Sequence, residues 1–185
     1  MSALVVVLII IGLLAVFLIG IYNRLVTLRQ RVKNAWAQVE VQLKRRYDLI
    51  PNLVNTVKGY ASHERETFEK VTQARNMAIQ AKDVNEQAGA ENLLSGALKT
   101  LFAVAENYPE LKADANFRQL QDELANTEGK IAFSRQFYND TIMAYNTTIQ
   151  RFPTVLIAGM FGFHKEEYFN LDGEAAAREA VKVEF

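Results

Sequence analysis

The chain has 185 residues, half of them apolar, and its 21 Lys and Arg side chains balance 21 Asp and Glu. Zero net charge removes the general electrostatic reason to expect a nucleic-acid partner. The absence of cysteine removes disulfides, thiolate metal sites, cysteine nucleophiles and cysteine-linked lipid anchors together.

Ala3 to Ile21 reads ALVVVLIIIGLLAVFLIGI, without a charged or strongly polar side chain. About 20 apolar residues match the roughly 30 Å hydrocarbon core of a bilayer. Only Met1 and Ser2 precede this core, so the basic n-region of a cleaved signal peptide is missing, as is a small-x-small cleavage site. Residues 1–21 therefore read as a retained transmembrane anchor. Arg24, Arg29, Arg31 and Lys33 crowd its C-terminal flank. The positive-inside rule then places a single-pass protein in the cell (inner) membrane with its domain in the cytoplasm.

From Tyr22 to Arg151 the pattern is helical. Leu25, Leu28, Val32, Ala35, Val39, Leu43, Tyr47, Ile50, Val54 and Val57 recur at steps of three and four, one apolar stripe that keeps its phase through Pro51. A bent helix is expected there, because proline removes one backbone hydrogen bond. A break follows at Gly59 to His63, with Ser62 as the expected N-cap of a second helix running to about Lys82. Its inner face is Phe68, Val71, Ala74 and Ala78. Asp83 to Gly89 reads as a turn. A third helix is expected from Ala90 to Asn107, with Leu94, Leu98, Leu101 and Ala105 inward and Tyr108-Pro109-Glu110 as its stop. The fourth, from Ala113 to Arg151, carries a seven-residue repeat: Phe117, Leu124, Ile131, Tyr138, Tyr145, Phe152.

The expected fold is all-α: the anchor, then an antiparallel up-down four-helix bundle with two long and two short helices over residues 22–151. Each long helix spans roughly 58 Å at 1.5 Å per residue. The first leaves the membrane and the fourth returns to it. This delivers the apolar segment RFPTVLIAGMFGF, Arg151 to Phe163, to the bilayer surface. The segment heads a membrane-proximal base over residues 152–170, with an acidic tail at 171–185. Tyr22, Arg24, Arg29, Phe152, Leu156, Ile157, Met160, Phe161 and Phe163 are the expected membrane-contact residues. The other reading is that the apolar ones fill an ordinary gap at the base of the bundle. Trp36, Val39, Leu43, Phe117, Leu124, Ile131, Tyr138 and Tyr145 are the expected packing residues.

Charge is uneven along the chain. Tyr22 to Lys58 carries eight basic and two acidic residues, and Glu106 to the end eight basic and thirteen acidic, so the two segments suit each other as neighbours. Antiparallel pairing of the long helices puts residue i opposite roughly 173 − i. Arg45 and Arg46 then face Glu128, and Glu40 faces Arg135, either as partly buried ion pairs that fix register or as side chains that snorkel to solvent.

Residue patterns that carry catalytic chemistry are sparse. His63 and His164 are the only histidines and lie a hundred residues apart, without metal-ligand spacing. Gly159-Met160-Phe161-Gly162 lacks the strand, lysine and helix of a phosphate loop. Ser62, Ser95 and Ser134 have no nucleophile elbow around them. No catalytic residue, metal or cofactor is expected.

Two stretches carry a family resemblance. YNRLVTLRQRVKNAWAQVEVQLKRRYDLIPNLVNTVKGYASHE (Tyr22 to Glu64) resembles the start of bacterial LemA-family proteins. FSRQFYNDTIMAYNTTIQRFPTVLIAGMFGF (Phe133 to Phe163), with YFN after it, resembles their C-terminal signature. The resemblance implies one N-terminal membrane helix before a four-helix domain, a cytoplasmic location for that domain, and no agreed enzymatic activity. With the unpartnered seams of the long helices, which mark an association surface, the expectation is a non-catalytic homo-oligomer. It would organise proteins or lipids at the membrane, with membrane lipids as partners and no nucleic acid. The alternative is an adaptor or regulator of a membrane protease or envelope-stress system, with a membrane protein as partner. A small-molecule sensor is a third class, and it needs convergent polar groups in the bundle interior.

Overall fold

A computed structural model of the chain describes residues 3–171, and every regular element among them is an α-helix. The order is α1 (Ala3–Tyr60), α2 (Arg65–Gln80), α3 (Val84–Ala105), α4 (Pro109–Ala113), α5 (Ala115–Gln150) and α6 (Thr154–Met160). The expected acidic tail lies outside the described residues from Asp172 onward.

The apolar N-terminal span and the amphipathic stretch after it form one helix. α1 runs 58 residues and its first turns, through Gly20, are exposed throughout. It is the one helix among the described residues long and apolar enough to cross a membrane. Further along, the apolar stripe is buried at Leu25, Val32, Ala35, Val39, Leu43, Tyr47, Ile50 and Val57, with Leu53 added.

Pro51 sits inside α1, and a side chain from α2 repairs what it breaks. Having no N–H, Pro51 cannot serve the carbonyl four residues back, which belongs to Tyr47. Arg75 of α2 donates its Nε–H to that carbonyl oxygen at 2.8 Å. The helix continues because the orphaned acceptor finds a charged donor from a neighbour.

Helix ends depart from expectation in three places, each for a local reason. Ser62 does not cap α2: the helix begins at Arg65 after Glu64, which makes no side-chain cap bond. The segment from Asp83 to Gly89 is no turn but the start of α3, because Asp83 accepts from the Glu86 N–H at 2.8 Å while Glu86 reaches back to the Lys82 N–H at 2.9 Å. This is a reciprocal cap built on Asp. Pro109 ends nothing. It opens the one-turn α4, where its fixed φ and missing N–H are tolerated. α5 begins behind another cap, with the Phe117 N–H donating to Asp114 Oδ1 at 2.9 Å.

The chain divides into two compact units. The first holds α1 up to Gln38 together with Gln136–Glu167; the second holds Val39–Arg135 and resumes at Tyr168. In the second unit, α2 packs on α3 through Phe68, Val71, Ala74 and Ala78 against the side of α3 that buries Leu94, Leu98 and Leu101. There Arg46 meets Glu128 and Tyr60 meets Asp114, each one residue from the expected antiparallel pairing. In the first unit, Trp36 packs against Tyr138 with ring centroids 5.1 Å apart and the rings tilted by 54°. The heptad of α5 is buried at Phe117, Leu124, Ile131, Tyr138 and Tyr145. It stops there: α5 ends at Gln150, and Phe152 lies outside it, exposed.

Candidate functional site

Two places gather the polar and aromatic chemistry, one in each unit. The first is the short segment after α5. α6 closes at Phe161, and Gly162 takes a positive φ of 69°, the left-handed turn that a residue without Cβ adopts freely. The Phe163 N–H then bonds back to the Ala158 carbonyl at 2.9 Å, as in a Schellman-type ending. The turn sends Phe163 inward. Its ring lies 5.9 Å from that of Tyr22, the Phe161 ring lies 5.0 Å from Tyr22, and the Arg29 guanidinium sits 6.0 Å above Phe163. The aromatic cluster thus closes around α1 just past its apolar span.

Exposure splits the expected membrane-contact set. Phe152 is 81% exposed and Met160 78%, and Leu156, Phe161, Tyr22, Arg24 and Arg29 are exposed as well. Ile157 and Phe163 are the corrections. At 6% and 8% exposure they have no surface left to offer a lipid, and they act as packing residues beneath the segment.

The chain after Phe163 has no regular structure and is pinned to α5 by uncharged groups. Asn146, itself buried, donates to the Glu166 carbonyl at 2.9 Å and accepts from the Glu166 N–H at 3.0 Å. The Tyr138 hydroxyl donates to the Glu167 carbonyl. Burial pushes the Tyr138 phenol up to about 12, with the charges of Glu166 and Glu167 adding to the effect. It therefore stays a donor at physiological pH.

The second unit holds a buried charged network. Arg46 and Glu91 are 3% and 2% exposed and paired at 2.7 Å. Arg46 also donates to the Ser95 hydroxyl at 2.9 Å, and its Nε lies 2.9 Å from Glu128 without the alignment of a hydrogen bond. Glu91 in turn accepts from the Tyr47 hydroxyl and from Gln87. Burial, and then the hydrogen bond to Glu91, hold the Tyr47 phenol far above its ordinary range. Burial raises the Glu128 carboxyl; Arg46 opposes that and Glu91 reinforces it. Every polar atom of Glu91 is thus engaged, which is what a carboxylate out of water requires.

The other expected packing residues, Val39, Leu43, Phe117, Leu124, Ile131 and Tyr145, are buried and Trp36 is half-buried. Of the expected register pairs, Arg46 and Glu128 are brought together. Arg45 points to solvent, a correction that follows from its place one residue, about 100° of helix rotation, from Arg46. Glu40 is exposed and Arg135 half-buried. Glu91, Gln87 and Tyr47 were not anticipated as a network. The signal is an acidic residue three positions before Leu94, on the inner stripe of α3, which in the first turn of a helix expected from Ala90 reads simply as a complement to the helix dipole.

A groove of about 400 Å³ beside the network is lined by Glu40, Lys44, Asp48, Arg75, Tyr47 and Gln87 among others. Several of these polar groups are already engaged within the fold. Among the described residues no cluster of His, Asp and Glu has the makings of a metal site.

Comparison with known proteins gives a consistent set of likenesses. The model of the LemA family matches residues 35–185. The magnetosome protein MamQ 2 of Paramagnetospirillum magneticum is 26% identical over 174 residues, covering 80% of this chain and 64% of the relative. MamQ of Magnetospirillum gryphiswaldense is 25% identical over 175 residues with the same coverage. Protein LemA of Metamycoplasma hominis is 27% identical over 179 residues, 94% of this chain and 78% of the relative. The match with the MamQ proteins thus spans 64% of their length.

Proposed function

The chain belongs to the LemA family, and from that premise we propose that it is a non-catalytic, single-pass protein of the cell (inner) membrane that associates with itself and organises proteins or lipids at the bilayer. Its helical domain, an antiparallel up-down bundle in this reading, lies in the cytoplasm, as the basic flank of the anchor favours. The observation that carries the proposal is the junction at Tyr22. One unbroken helix leads from an exposed apolar span into the folded chain, and Phe161 packs on that helix at the junction while Phe152, Leu156 and Met160 stay bare beside it.

Exposed aromatic and aliphatic side chains next to a membrane span suit the headgroup boundary, where their apolar bodies leave water. Arg24 and Arg29 sit within the first turns past the span, close enough to meet anionic lipid. The MamQ relatives are named for the magnetosome, which is compatible with a role in membrane organisation.

Light scattering of the detergent-extracted chain at micromolar concentration tests the reading. A mass of several protomers is expected, and a single-protomer mass contradicts it. Crosslinking in native membranes separates the two forms of the proposal: self-adducts support the organiser, and one dominant foreign adduct supports an adaptor for another membrane protein.

A further inference from the structure

We propose that the groove between α1 and α5 in the first unit is the surface on which a second copy docks, side by side and related by a two-fold axis along the membrane normal. The proposal rests on the self-association reading and gives it a place. The groove, about 470 Å³, is lined by Leu28, Arg31, Asn34 and Gln38 of α1 and by Phe137, Asp140, Thr141 and Ala144 of α5. Phe137 is exposed. The opposite side of α1 faces the Phe163 cluster, through Tyr22 and Arg29, so one side of this helix pair is covered and the other is bare.

Charge and register identify the occupant. Arg31 and Asp140 are exposed, and neither has an ion-pair partner among the described residues. Trp36 packs on Tyr138, which puts Asp140 level with residue 34 of α1. Arg31 is therefore offset from Asp140 along the helix axes by about 4.5 Å, a step an arginine side chain bridges.

Within one chain the two residues flank the groove without meeting. Two copies whose anchors share one bilayer have their α1 helices running the same way. A two-fold axis down the groove then lays α1 of one copy beside α5 of the other, antiparallel, with Arg31 of each facing Asp140 of its partner. The pairing closes because an isologous interface makes every contact twice. Phe137 lies near the axis and fills the groove from both sides.

The absence of native cysteine makes the test direct. Phe137→Cys and Ala144→Cys are introduced into the full chain in native membranes, with Lys33→Cys on the far side of α1 as control. A short thiol-bridging reagent should give a dominant dimer for the first two and none for the third. Arg31→Asp in the Phe137→Cys background should abolish that dimer, and adding Asp140→Arg should restore it, helix content by circular dichroism being unchanged. Dimers from Lys33→Cys equal to those from Phe137→Cys, or no rescue by the double charge swap, overturn the proposal. If the extracted chain is oligomeric by light scattering yet residues 137 and 144 fail to crosslink, this surface is wrong while self-association stands. A monomer in both measurements removes both.

Discussion

The two units meet the same requirement, satisfying polar groups away from water, by opposite means. The second unit packs α2 and α3 with parts of α1 and α5, and inside it sit Arg46 and Glu91, a charged pair almost fully removed from solvent. The first combines parts of α1 and α5 with α6 and the irregular segment after it, which neutral side chains hold in place: Asn146 on the Glu166 backbone and Tyr138 on the Glu167 carbonyl. The guanidinium that lies over Phe163 there belongs to an exposed residue, Arg29. A buried ion pair needs enough surrounding side chains to serve all its donors and acceptors, and Tyr47, Gln87, Ser95 and Glu128 supply them only in the second unit. The first unit keeps its arginines exposed.

That contrast is open to attack by substitution. The largest effect is expected from Arg46→Met, which leaves Glu91 buried without its cation and should cost about 3–5 kcal/mol in urea denaturation. A loss under about 1 kcal/mol would mean that the network is wetter than described. In the first unit Asn146→Ala strands one N–H and one carbonyl of Glu166. It should cost about 1–3 kcal/mol, with faster hydrogen exchange confined to α6 and the segment after it.

Arg75→Met tests the repair of α1 and should cost about 1–3 kcal/mol by exposing the unserved Tyr47 carbonyl. In a Pro51→Ala background, where residue 51 regains its N–H, most of that cost should vanish, and a double-mutant cycle reads the difference. The smallest effect belongs to Glu128→Gln. Arg46 keeps Glu91 in that variant, and the Glu128 side chain is nearly half exposed, so solvent screening holds the change under about 1 kcal/mol.

Its sign follows from the raised pKa in the fold. What this group contributes is fully present below its unfolded pKa and is lost as pH rises through the folded value. The Gln variant should therefore match the parent in acid and exceed it slightly at neutral pH. Thermal melts across that range should show the two curves coincide in acid and separate in that direction as pH rises.

Much of this architecture was legible in the residues. The stripe from Leu25 to Val57 and the repeat from Phe117 to Tyr145 name the buried faces of α1 and α5, because a period near 3.6 survives any detail of tertiary packing. The exposed apolar span at the start of α1 is legible from length and apolarity alone. Helix boundaries were less legible, since they depend on side chains bonding to nearby backbone. Asp83 as a cap and Pro109 as an opener are local choices that a polar or proline-containing stretch does not fix by itself. Arg46 and Glu128 came from pairing two helices by length. Glu91 needed a third helix in correct register, and the inward turn of Phe163 needed the left-handed Gly162. Ile157 and Phe163 look as lipid-facing in sequence as Phe161 does, and only the turn distinguishes them.

In the proposed reading, the segment after α5 rests in the bilayer boundary beside the apolar span. That placement is tested most directly by moving the single tryptophan: Trp36→Phe with Phe161→Trp, reconstituted in vesicles whose lipids carry bromine near the top of the acyl chains. Blue-shifted emission strongly quenched by those lipids is expected. Emission at the wavelength of a water-exposed indole, untouched by the bromines, would contradict it.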